Sequence, residues 1–218
     1  MKVLALASQK GGVGKTTLSG HLAVEAERAG FGRVALVDTD PQHSLKDWWD
    51  VRKAETPILV HVVLSALPAA LVQLKAEGID LVIVDTPPAI TESIRAVVRS
   101  ADLVLIPTRP SPHDLRAVGA TVDVVEGESR RMIFVINGAA NRARITAQAA
   151  MALSQHGAVA PVIIIQRTDF ASSMTDGRTV IEIDPDGKSA AEIATLWAYV
   201  STQLGEAARK IGRRGVMT

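Results

Sequence analysis

The chain has 218 residues, 47% hydrophobic and 22% charged, which is enough for one globular domain with a substantial core and too apolar for a disordered chain. Its formal net charge is +1, so contact with nucleic acid must come from a local patch rather than from the overall field. It contains no cysteine, which excludes disulfides, thiol nucleophiles and thiolate-held metals or iron–sulfur clusters and leads us to expect a reducing, cytoplasmic setting.

Along the chain, short apolar runs alternate with alanine-rich helical segments. Strands are expected at 2–7, 33–38, 58–62, 81–85, 103–107, 132–137 and 159–165. Several are apolar throughout, the mark of strands covered on both faces. Helices are expected at 15–29, 66–77, 91–99, 112–126, 144–155 and 190–210, with Gly30 and Gly78 as C-terminal caps. A further helix carries Trp48 and Trp49, which are expected to pack in a core or an interface. This rhythm predicts an α/β fold: a doubly wound, mostly parallel sheet flanked by helices, in a single domain spanning 1–218 with a basic C-terminal helix or tail at about 204–218. No apolar run reaches the roughly 18 residues needed to span a bilayer. The short apolar start leads into a glycine-rich loop rather than a cleavage site.

In such sheets chemistry sits just beyond the carboxyl ends of the strands. After the first strand come Gln9, Lys10, Gly11, Gly12, Val13, Gly14, Lys15, Thr16 and Thr17, then a helix. The glycines let backbone amides turn inward on phosphate oxygens, with the helix N-terminus adding its dipole. Lys15 would reach the β/γ-phosphates and the Thr16 hydroxyl would ligate Mg²⁺, making this a P-loop. Gln9 stands where the usual motif has its first glycine.

The second strand ends in Asp38-Thr39-Asp40-Pro41-Gln42. Carboxylates at i and i+2 project to one side of an extended strand end and could organise Mg²⁺ waters and an attacking water. Asp85 closes the apolar run 81–84, where a carboxylate holds Mg²⁺ through water. His21, His43, His61, His113 and His156 show no metal-ligand spacing.

The run from Lys10 to Thr16 resembles the deviant Walker A signature of the ParA/MinD family, and the resemblance extends over nearly the whole chain. It implies that Lys10 reaches across an ATP-bound homodimer to the partner's nucleotide, stabilising charge in phosphoryl transfer. The 38–42 run resembles the family's second motif, which implies that Asp40 positions the water and Asp38 supports the magnesium shell. Pro87 and Pro88 resemble its second switch. Asn137 stands where relatives place a base-reading asparagine, and Gln166-Arg167-Thr168-Asp169 resembles their nucleotide-flanking stretch. No guanine-reading motif is present, so ATP with Mg²⁺ is the expected cofactor pair.

The resemblance is to short ParA proteins without an N-terminal operator-binding domain, since the chain opens on the first strand. It implies a slow ATPase that segregates or positions plasmid or chromosomal DNA, or a large protein cargo, and that a ParB-like or cargo-adaptor protein stimulates. The basic residues Arg209, Lys210, Arg213 and Arg214 suit non-specific DNA contact and a nucleoid-associated location. The same end is poor in bulky apolar residues, so membrane binding is not expected. A MinD-like membrane-associated ATPase and a metabolic P-loop ligase are the alternatives.

Overall fold

Among the described residues seven strands form one parallel sheet in the order β3-β2-β4-β1-β5-β6-β7: β1 (Lys2–Leu6), β2 (Val34–Asp38), β3 (Ile58–His61), β4 (Leu81–Asp85), β5 (Leu103–Thr108), β6 (Met132–Ala139) and β7 (Ala158–Ile165). The structure is a computed structural model. It describes residues 1–88, 92–141 and 143–214, with the side chains of 92, 93 and 206–214 excepted. The apolar strands behave as their composition requires, because helices cover both faces of the sheet.

Alternation along each strand feeds two cores. Leu4, Leu6, Leu36, Leu81 and Ile83 point to one face, under α1 (Lys15–Arg28), α2 (Ser44–Asp50), α7 (Thr168–Met174), α8 (Val180–Ile183) and α9 (Lys188–Arg214). Val3, Ala5, Val37, Val82 and Val84 point to the other, under α3 (Leu67–Ala76), α4 (Glu92–Ser100), α5 (Pro112–Gly127) and α6 (Arg144–Ser154). The scarcity of aromatics leaves this core to aliphatic side chains, with Phe134 the largest fully buried residue.

Gly30 and Gly78 end α1 and α3 in left-handed conformations, φ 76° and 78°. Each allows the next amide to reach back to a carbonyl of the last turn, Phe31 to Ala26 and Ile79 to Leu74. Two helices were not foreseen. The seven-residue α7 and four-residue α8 are too short to carry a helical hydrophobic period; α8 begins at a capping box in which Thr179 and Glu182 satisfy each other's backbone amides. Among the described residues no helix is long and apolar enough to cross a membrane.

Between β4 and β5 the chain passes from one side of β1 to the other. The carboxyl ends of β1, β2 and β4 therefore open onto one crevice, at the point where such sheets take ligands.

Candidate functional site

Residues 7–14 wrap between β1 and α1. Gly12 and Gly14 adopt φ 72° and 94°, a region that L side chains avoid. Lys15 is buried, and its Nζ donates to the Ser8 and Lys10 carbonyls at 3.3 Å each, bracing the loop from inside. Burial pulls its pKa down, opposed by Asp85 and Asp40. Lys10 behaves differently: its side chain is exposed and makes no hydrogen bond or ion pair among the described residues.

Thr16 Oγ1 donates to Asp85 Oδ2 at 2.6 Å, joining the loop to the end of β4. Asp85 is fully buried, and burial raises its pKa to about 7; Asp38 and Asp40 push the same way, against the Thr16 hydrogen bond and Lys15. Its second oxygen, Oδ1, has no hydrogen-bond partner among the described residues. A hydroxyl and a buried carboxylate with a spare oxygen fit the oxygen preference of Mg²⁺. Among the described residues no group of three His, Cys, Asp or Glu side chains could cage a metal. This donor set therefore fits a cation shared with phosphates and water rather than an all-protein site.

Asp38 lies opposite Asp85 in the β2–β4 register. Both its oxygens are committed to amides, Oδ1 to Asp40 N at 2.9 Å and Oδ2 to Lys46 N at 3.1 Å, so it holds the loop and the first turn of α2 in shape. Thr39 is tied to the Asp85 carbonyl through both its amide and its hydroxyl. Asp40 and Gln42 are left on the wall of a cavity of about 700 Å³, which also takes in the phosphate loop and Pro88. That volume falls within the range of small-molecule sites.

The far end of the cavity lies at the tips of β5, β6 and β7. Asn137 lines it and donates Nδ2 to the Val13 carbonyl at 2.6 Å. Arg167 also lines it, but its guanidinium is held by a bidentate pair with Glu192, both contacts at 2.8 Å. Arg109 and Gln166 flank Gly138 there. Gln166 belongs to the stretch the sequence marks as nucleotide-flanking, whereas Arg109 is missed by it, and its position just after β5 is the available signal. The side chains of Arg209, Lys210, Arg213 and Arg214 lie outside the described residues.

Two anchors outside the motifs hold this wall. His21 is completely buried beside Phe170; its Nδ1–H donates to the Thr17 carbonyl at 2.7 Å and Nε2 accepts from Val180 N at 3.2 Å. Burial lowers its pKa to about 4, so the ring is neutral at ordinary pH. Arg52, just past α2, pairs with both oxygens of Glu182 at 2.9 and 2.7 Å and with the Gly177 carbonyl at 2.7 Å. Trp48 packs in the core beneath it, as expected, with its ring 5.4 Å from the Arg52 guanidinium.

The model of the CobQ/CobB/MinD/ParA nucleotide binding domain matches residues 4–180. The chain belongs to that family. It is 30% identical over 198 residues to the maintenance of carboxysome distribution protein A of Halothiobacillus neapolitanus, covering 87% of this chain and 91% of that protein. To the chromosome-partitioning ATPase Soj of Thermus thermophilus it is 33% identical over 152 residues, 56% of this chain and 61% of that one. Its fold is similar to that of the septum site-determining protein MinD from Pyrococcus horikoshii in complex with Mg-ADP, with a TM-score of 0.77 at 17% identity, over 94% of this chain and 98% of that one. The ParA/MinD members of this family are P-loop ATPases that use ATP and Mg²⁺.

Proposed function

We propose that this ParA/MinD-type ATPase is an ATP-dependent dimerising switch that positions DNA or a large protein assembly by holding on to DNA non-specifically. One observation carries the dimer reading: the two lysines of the loop part company. Lys15 is buried against Ser8 and Lys10 carbonyls within its own subunit, while the Lys10 side chain stands exposed and unpaired among the described residues. A cation in that place is free to reach the nucleotide of a second copy and stabilise charge that develops in phosphoryl transfer.

Within one subunit, the amides of Gly11 to Thr17 and the Lys15 ammonium would bind the triphosphate. Thr16 and Asp85 would hold Mg²⁺, which supplies charge neutralisation at the transferred phosphoryl group. Asp40 would orient the attacking water, and Asp38 would support it by fixing the loop that carries it. Asn137 and, through its backbone, Arg167 would flank the base. A ParB-like or adaptor partner would stimulate hydrolysis and release the dimer from the nucleoid. Relatives named for carboxysome distribution and for chromosome partitioning support positioning as the shared task.

The test of DNA binding is affinity for random-sequence duplex with ATP, ADP or no nucleotide, at 50 and 200 mM salt. Four phosphate contacts from Arg209, Lys210, Arg213 and Arg214 predict ATP-dependent binding with a salt slope of about −3.6, roughly a 100-fold loss across that range. Absence of binding in every state would contradict the DNA part of this reading.

A further inference from the structure

Gly138 interrupts the pairing of β6 with β7: Asn137 pairs with Ile164 and Ala139 with Ile165, leaving Gly138 as the extra residue at φ 64°. Such a bulge re-aims the neighbouring side chain. Here the Asn137 amide faces the phosphate loop and donates Nδ2 to the Val13 carbonyl at 2.6 Å, across 124 residues of chain. A second observation meets the first at the same atom. A Cβ on Gly14 would lie 2.2 Å from Asn137 Nδ2, so the amide occupies the space a side chain there would need.

We propose that Asn137 is a positioning residue of the phosphate loop, fixing the Val13–Gly14 peptide for triphosphate binding in addition to facing the base. The inference rests on the nucleotide-binding reading of the same cavity. The peptide is planar and trans, so a carbonyl pinned on Asn137 turns the Gly14 N–H to the opposite side. Val13 is almost fully buried, which leaves the loop little other freedom at this point. Gly14 is needed for the left-handed turn and also for the close approach of Asn137.

The experiment uses a ligand with no base. Binding of Mg²⁺–ATP and of Mg²⁺–tripolyphosphate is measured by titration calorimetry for the wild type, Asn137→Ala and Asn137→Leu, the last similar in size but without a donor. Both variants are expected to weaken tripolyphosphate about five- to tenfold for one lost hydrogen bond, and ATP by at least that factor. Weakened ATP binding with unchanged tripolyphosphate binding would make Asn137 a base contact only and overturn the proposal. Gly14→Ala, introduced into the wild type and into Asn137→Ala, gives an independent check. A smaller loss of tripolyphosphate affinity in the Asn137→Ala background is expected, and equal losses overturn the coupling. A wild type that binds neither ligand would overturn the nucleotide-binding reading itself.

Discussion

Thr16 and Asp85 meet at 2.6 Å, and the contact leaves Asp85 Oδ1 buried without a hydrogen bond among the described residues. A carboxylate so placed costs stability, because burial disfavours its charged form and a single hydroxyl offsets only part of that cost. The proposed role in holding Mg²⁺ would give that free oxygen a use.

Asp85→Asn should therefore stabilise the nucleotide-free protein at pH 8 by roughly 2–4 kcal/mol, from a carboxyl whose pKa stands at about 7 in the fold and 3.8 in the unfolded chain. The same variant should lose Mg²⁺-dependent phosphate release. Urea melts and a phosphate-release assay check the two halves, and a destabilised variant would contradict the account of Asp85.

His21 acts on pH stability in the opposite sense. The unfolded chain takes up a proton below about pH 6.5 while the folded ring resists until about pH 4. Stability from this residue is thus present above pH 6.5 and falls away toward pH 4, by on the order of 3 kcal/mol. Asp85, with its raised pKa, gains stability as pH drops from about 7, so the comparison must be between the wild type and His21→Gln. The wild type should lose more stability than the variant between pH 6.5 and 4.5 in urea melts.

These long-range ties were not legible in the sequence, and the reason is physical. The phosphate loop, the Asp38–Asp40 pair and Asp85 announce themselves because their chemistry demands residues a few positions apart at strand ends. Asn137 to Val13, His21 to Val180 and Arg52 to Glu182 span 124, 159 and 130 residues, and no local spacing encodes them. The strands and longer helices were readable from apolar runs and glycine caps, whereas α7 and α8 had too few residues to show a period. Asn137 stands out in the sequence only by its resemblance to a base-reading asparagine, and its grip on the loop goes with the bulge at Gly138.

Arg52 fastens the end of α2, and with it the loop bearing Asp40, to α8. Its side chain is 4% exposed and its partner's 26%. Arg52→Ala removes the bidentate pair and leaves Glu182 and the Gly177 carbonyl short of a donor, at a cost of about 2–4 kcal/mol in urea unfolding. Arg52→Lys should recover less than half of this, because an ammonium cannot match the two-pronged contact.

Asp40→Ala should retain ATP binding while turnover falls at least about 100-fold, as expected when a water-orienting group is lost. Calorimetry and single-turnover hydrolysis separate the two, and normal turnover would remove Asp40 from the role assigned to it.

The switch itself is tested most directly by sedimentation of the wild type and Lys10→Ala with ADP and with a slowly hydrolysed ATP analogue, each with Mg²⁺. The account predicts a wild-type dimer with the ATP analogue only, and a Lys10→Ala protein that binds the analogue yet stays monomeric. A dimer that forms equally well without Lys10, or without nucleotide, would contradict it.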